Sequence, residues 1–325
     1  MTTYLSGIDE AGYGPLLGPL VVGLATLSHE DPIRPAAPWK LLAPTVVRRK
    51  AARGLCVADS KALHKPSSGD LSPLERGVLS FVACERGGEP VGSFRELVAH
   101  LNGGRTAYLE EYPWYSEADL PLPHSASRLE LLGSIRKLAR RLEGSGLSVN
   151  EIRATPVDVR EFNRTLQDVD SKGDLNASVI GRFLRWMWTL PERKRMEVWT
   201  DRLGGRQRYG PLLYPLFPNA RFDILEQGDE NQAYQVVDER VSERTMTIHF
   251  NKGCEDISFT TALASMTAKY VRELHMVLFN RWWEKHCPGL KPTAGYYADG
   301  NRFLQDIDGA LKKLKMGRDG LVRRR

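Results

Sequence analysis

The chain of 325 residues is 42% hydrophobic and 26% charged, which excludes a disordered or fibrous protein and allows one large core or two smaller ones. Its formal charge of +6 equals the local excess in residues 310–325, where Lys312, Lys313, Lys315, Arg318, Arg323, Arg324 and Arg325 face only Asp319; that run suits a polyanion contact or a solvated tail equally well. Cys56, Cys84, Cys254 and Cys287 lie too far apart for a zinc knuckle or a disulfide framework, no apolar run spans a membrane and no signal peptide opens the chain, so a cytoplasmic location is expected.

Residues 4–8 form a short apolar run that ends in Asp9-Glu10 and passes at once into Ala11-Gly12-Tyr13-Gly14-Pro15. This pattern predicts a strand opening into a tight turn. Adjacent strand residues point to opposite faces, so Asp9 and Glu10 serve one site only if the strand ends there, with Gly12 and Gly14 permitting the turn. Taken alone, the pair is equally well explained as a solvated surface turn. Residues 17–27 are uniformly apolar and predict a strand in the middle of a covered sheet. The stretch 28–44, with Pro32, Pro35, Pro38 and Pro44, predicts a surface loop.

Asp59-Ser60-Lys61 brings an acid, a hydroxyl and an ammonium into the loop before a helix. That helix is expected to start at Ser72-Pro73-Leu74-Glu75, which has the form of a capping box. Residues 86–126 are rich in Gly, Pro and aromatics, and a helix over Ser127–Glu143 follows, with Leu129, Leu132, Ile135, Leu138 and Leu142 on one face. Its Arg136, Lys137, Arg140 and Arg141, beside Tyr112, Trp114 and Tyr115, suit a nucleic-acid grip. Local core and a solvated face are the commoner arrangement.

A strand at 151–157 and a buried helix over Asn176–Trp188 come next. Met196-Glu197-Val198-Trp199-Thr200-Asp201 then repeats the opening pattern, an apolar strand ending in an acid. Strands at 221–225 and 244–250 precede a long helix from Phe259 to about Lys285. Ala262, Ala264, Ser265 and Ala268 suit its first part to close packing on a sheet, and Lys269 with Glu273 has the spacing of a helix salt bridge.

Jointly, these residues resemble ribonuclease HII. Gly7 to Pro15 match the family's opening motif except at Tyr13, where the family has arginine; Asp59-Ser60-Lys61 match its Asp-Ser-Lys loop and Asp201 its strand-end aspartate. Ala264-Ser265-Met266-Thr267-Ala268-Lys269-Tyr270-Val271-Arg272-Glu273 match its Ala-Ser-x-x-Ala-Lys-x-x-Arg-Asp helix, with Glu273 in place of aspartate. The resemblance covers residues 4–83, 149–201 and 252–307. It implies an α/β, ribonuclease H-like fold, a mixed five-stranded sheet with helices on both faces, in which the strands ending in Asp9 and Asp201 are neighbours. One catalytic domain over 1–307 with an insertion at 84–148, C-terminal helices and a basic tail at 308–325 is the expected organisation.

The activity implied is endonucleolytic hydrolysis on the 5′ side of a ribonucleotide, in an RNA/DNA hybrid or a ribonucleotide-containing DNA duplex, giving 3′-OH and 5′-phosphate ends. Two Mg²⁺ or Mn²⁺ ions would be held by Asp9, Glu10, Asp201 and Glu273, hard oxygen donors suited to such cations. Gly12, Tyr13 and Gly14 would read the 2′-OH, Ser60 and Lys61 would hold a phosphate, and Tyr296 or Tyr297 would stack on the substrate. The Tyr13 and Glu273 departures leave two alternatives, a catalytically weakened nucleic-acid binder of the same fold and a metal nuclease acting on another structure. No membrane partner is expected, and protein partners are open.

Overall fold

The computed structural model describes residues 2–49, 54–64, 69–204, 206–241 and 244–324; Arg325 of the basic segment lies outside these. Seven strands form one sheet: β1 (Thr3–Ala11), β2 (Leu20–His29), β3 (Ser148–Val157), β4 (Arg195–Asp201), β5 (Ala220–Gln227), β6 (Asn231–Asp238) and β7 (Thr245–Asn251). Their order is β3-β2-β1-β4-β7-β6-β5. β1 runs antiparallel to β2 and parallel to β4, and β4 is parallel to β7. The first five strands in that order make the expected mixed sheet, and the antiparallel pair β6 and β5 extends it. β6, half polar and alternating, is a strand that the sequence reading passed over.

The helices named below are α1 (Ala37–Leu42), α2 (Ser60–Leu63), α3 (Ser72–Glu85), α4 (Phe94–Leu101), α5 (Arg128–Ser145), α6 (Val159–Asp168), α7 (Lys172–Trp188), α8 (Cys254–Ile257), α9 (Phe259–His286), α10 (Tyr297–Asp306) and α11 (Asp308–Lys313). α1 falls in the stretch expected to be a loop. Pro38 lies in its first turn, where the missing N–H costs no helix bond.

The sheet is covered on both faces, each by its own core. On one face Ile8, Val22, Leu24 and Val157 pack with Phe162, Leu175, Ile180 and Leu184 of α6 and α7. On the other, Val21, Ala25 and Leu27 pack with α9, α3, α4 and α5. α9 approaches β1 closely because Gly7 has no side chain: a Cβ there would stand 2.0 Å from the Thr261 nitrogen. The small residues read at the start of α9 are buried in that contact.

Residues 84–148 share this second core. Trp114 stacks edge-on against Phe279, and Tyr112, Trp114 and Tyr115 are buried, so these aromatics are core. Arg136, Lys137 and Arg140 are exposed on α5, a solvated face. The expected capping box at Ser72 does not form. Ser72 is the first residue of α3, and Glu75 is instead fully buried. Its carboxylate accepts from the backbone N–H groups of His124 (2.6 Å), Ser125 (2.7 Å) and Ala126 (2.6 Å) and from the Tyr270 hydroxyl (2.6 Å). Four donors to one carboxylate outcompete a helix cap.

The basic segment 308–325 is not a loose tail over its described part. Lys312, Lys313, Lys315, Arg318 and Arg324 are exposed, but Val322 forms a β-bridge with Leu17 and Arg323 is buried. Charge counting left Arg323 in a segment open to a polyanion or to solvent, whereas it is buried, its Nη1 donating to the Gly12 carbonyl.

Candidate active site

β1 and β4 deliver their acids together. In the parallel register Ile8 stands opposite Thr200, so Asp9 and Asp201 come next to each other one residue later. β1 runs on to Ala11 rather than stopping at Asp9, so Asp9 and Glu10 straddle the sheet. Ser265 of α9, on one face, favours the ionised form of Asp9, and Asn176 of α7, on the other, favours that of Glu10. The condition that the strand end between them is therefore not met.

Their charges still meet. Burial, then the Glu10 charge, pushes Asp9 well above the usual carboxylate range, with Glu255 adding to the effect. Burial also raises Glu10, and Asp201 and Glu255 raise it further against the effect of Asn176. Glu255, in the short helix α8, is raised by burial and then by Asp201. The Asp201 carboxylate is oriented by two backbone donors, Arg202 N and Gly253 N, each at 3.0 Å. The four carboxylates of this cluster are thus Asp9, Glu10, Asp201 and Glu255.

Glu273 was expected as the fourth acid, and its surroundings correct that expectation. It is buried beside two cations, with Lys269 Nζ at 2.8 Å and Arg272 Nη1 at 3.4 Å, and His64 Nε2 lies at 3.8 Å. Burial pushes its carboxyl up, but His64, Arg272 and Lys269 outweigh this and hold it at about 2. Along α9 it lies eight residues, about 12 Å of rise, beyond the Ser265 that favours ionised Asp9. The helix salt bridge read from the i,i+4 spacing is what forms. The sequence signal for Glu255 was an acid just after the strand that becomes β7, the same pattern as Asp9 and Asp201, in a stretch read only as the approach to α9.

Asp59 caps α2, its carboxylate accepting from Lys61 N at 2.9 Å. Ser60 is buried and shares a hydrogen bond with the Ser265 hydroxyl (3.1 Å), which ties the loop to α9 at the level of Asp9. Lys61 extends into solvent and brings Nζ to 3.6 Å from Glu255 Oε1. Burial opposes its charge, but Glu255, Asp59, Asp9 and Asp201 together raise its pKa.

Gly12 has φ of +83°, and a Cβ there would lie 2.4 Å from Arg272 Nε and 2.7 Å from the Pro19 carbonyl, so no other residue fits. Gly14 has open space around it and no left-handed backbone, so the turn needs one glycine of the two. Tyr13 is 39% exposed and leans towards α7, where a Cβ on Gly173 would be 3.8 Å from its hydroxyl. Burial, Glu10 and Asp174 raise its pKa. Of the two tyrosines left open, Tyr296 is the one beside the turn: the Gly295 carbonyl accepts from Leu16 N (2.7 Å) and Leu17 N (3.1 Å), and Arg272 faces the Tyr296 ring at 6.0 Å. Tyr297 begins α10 and is 54% exposed.

The mixed sheet, the neighbouring strands that carry Asp9 and Asp201, and helices on both faces are the architecture expected above, with seven strands in place of five. The chain has a ribonuclease H-like fold. It is similar to the ribonuclease HII of Archaeoglobus fulgidus solved with PCNA, at 13% identity and a TM-score of 0.44 over 99% of this chain and 94% of that one. It is also similar to the ribonuclease H2 of Pyrococcus horikoshii, at 14% identity and a TM-score of 0.42, covering 98% of this chain and 92% of that one. A Bst ribonuclease HIII solved with Mn²⁺ gives 16% identity and a TM-score of 0.48, over 99% of this chain and 66% of its own. No family model and no curated protein matches. Among the described residues no helix is long and apolar enough to cross a membrane.

Proposed function

We propose that the protein is a metal-dependent endoribonuclease that hydrolyses the phosphodiester 5′ of a ribonucleotide within an RNA/DNA hybrid or a DNA duplex. The observation that carries this reading is the cluster of Asp9, Glu10, Asp201 and Glu255 at the ends of adjacent parallel strands, three of them with raised pKa values. Buried carboxylates that repel one another are costly to a fold unless a cation offsets them.

The donor set fits a hard divalent cation. All four are carboxylates, and the buried Oε2 of Glu255 has no hydrogen-bond partner. Among the described residues no three acid, His or Cys side chains already stand as a cage. Asp9, Glu10, Asp201 and Glu255 would hold Mg²⁺ or Mn²⁺, which when bound activates water and stabilises the leaving oxygen. Ser265 and Asn176 favour the ionised forms of Asp9 and Glu10, and the backbone N–H groups of Arg202 and Gly253 orient Asp201. Lys61 supplies a mobile positive charge over the cluster, suited to a phosphate of the substrate. The Gly12-Tyr13-Gly14 backbone, with open space at Gly14, lies where it can meet a 2′-OH, and Tyr296 offers a half-exposed ring beside it.

The test is cleavage by purified protein, with Mg²⁺ and with Mn²⁺, of a DNA duplex holding one ribonucleotide and of a long RNA/DNA hybrid. Products with 3′-OH and 5′-phosphate ends are expected. Absence of cleavage of both, at protein concentrations where binding is measurable, refutes the reading.

A further inference from the structure

Arg323 occupies an unusual place for an arginine. It is 2% exposed, yet only its Nη1 makes a hydrogen bond, donated to the Gly12 carbonyl at 2.7 Å. Its Nε and Nη2 are buried without partners, and Arg272 Nε beside it is likewise unpartnered. Burial and then the Arg272 charge lower Arg323 to about 9, which leaves it charged at neutral pH. A guanidinium in this position, next to a second guanidinium, costs stability. Its Cζ lies 4.9 Å from the Phe162 ring centroid, a contact that an apolar side chain would also make. Fold stability therefore gives no reason for an arginine here.

The turn does. The segment carrying Arg323 runs along the loop after β1: Arg323 N donates to the Leu16 carbonyl at 3.0 Å, and Val322 bridges Leu17. Asn163 of α6 clamps the segment from behind, donating to the Val322 carbonyl at 2.9 Å and accepting from Arg324 N at 2.7 Å. Gly295 and Arg272 hold Leu16 and Leu17, whereas the Arg323 side chain reaches into the Gly12-Tyr13-Gly14 stretch itself.

We propose that Arg323 is a positioning residue for nucleic-acid binding, holding the Gly12–Gly14 turn in shape and stationing a positive charge behind it. This inference rests on the function proposed above. Removing the charge acts on binding of a phosphate backbone, and removing the bond acts on the mobility of the turn; the two are separable.

The experiment compares wild type, Arg323→Met and Arg323→Lys on a duplex with one ribonucleotide in Mn²⁺, recording kcat, KM, the salt dependence of binding and amide hydrogen exchange of the peptide spanning Ala11 to Leu17. For Arg323→Met, KM rises about tenfold as the turn loses the charge-assisted bond at the Gly12 carbonyl, and the salt slope flattens by less than one ion, because the buried guanidinium lies behind the turn and not on a phosphate. Exchange over the turn speeds up and kcat moves by less than KM. Arg323→Lys restores the salt slope and leaves the fast exchange. An active wild type with an Arg323→Met variant of unchanged KM, salt slope and exchange overturns the inference alone. A wild type inert on every duplex overturns the function on which it rests. Should Arg323→Met not fold, Arg323→Lys decides: fast exchange with raised KM supports the assignment, and wild-type values of both overturn it.

Discussion

Glu255→Gln and Glu273→Gln separate the two carboxylates that compete for the fourth place in the cluster. Glu273 is held at about 2 against an ordinary 4.5, so its ionised form contributes on the order of 3 kcal/mol at neutral pH. That agrees with the roughly 3–5 kcal/mol lost when one partner of a buried ion pair is removed. Because the folded-state value is depressed, this stability is fully present above about pH 4.5 and disappears as pH falls towards 2. Glu273→Gln should therefore lower the urea midpoint at pH 7 and leave the stabilisation by Mn²⁺ in place. Glu255 has the opposite sign: burial and Asp201 raise it, so Glu255→Gln removes repulsion and leaves the midpoint unchanged or higher. The same change abolishes the Mn²⁺ response and cleavage. Urea titrations of both variants with and without Mn²⁺ decide the matter. A Glu273→Gln variant that loses the Mn²⁺ response, beside a Glu255→Gln variant that keeps it, refutes the assignment of the cluster.

Asp9→Asn should eliminate cleavage while preserving duplex binding and raising thermal stability, because it removes the most strongly raised carboxylate of the cluster; a lower melting temperature counts against mutual repulsion. With Asp9, Glu10 and Glu255 all raised, protons and Mn²⁺ compete for the same oxygens. The Mn²⁺-induced rise in melting temperature should be larger at pH 8 than at pH 5.5, and a reversed order places the cation elsewhere. Glu75→Gln puts an amide NH₂ against N–H or O–H donors on whichever side it faces, and should cost about 3 kcal/mol or more in urea titration; a loss below about 1 kcal/mol contradicts the network. Gly12→Ala should destabilise strongly through the contact with Arg272 and the Pro19 carbonyl, whereas Gly14→Ala, with open space around it, leaves stability near wild type by the same measurement.

Much of this was legible because strands and their ends carry strong local signals. The apolar runs before Asp9 and Asp201 predicted two acid-bearing strands, the resemblance made them neighbours, and the small residues at the start of α9 suited it to the close packing seen at Gly7. Glu255 escaped because nothing local distinguishes a two-residue turn between a strand and a helix from any other polar turn; only the register of β4 against β7 brings it to Asp201. Glu273 misled because a motif position fixes a place on a helix, not the direction in which its carboxylate finds a partner. The same limit applies at Arg323. Composition counts its charge, but whether that charge meets solvent or a carbonyl depends on a segment lying 311 residues further along the chain.

That separation also orders events in time. β1 gains its neighbour β2 as soon as the first thirty or so residues collapse, but the Gly12 carbonyl waits for a donor that closes one of the longest loops in the molecule. During synthesis the acids of β1 and β4 can be assembled while the turn beside them is still unfastened. On the function proposed above, a refolding experiment should therefore recover the sheet before it recovers duplex binding by the turn.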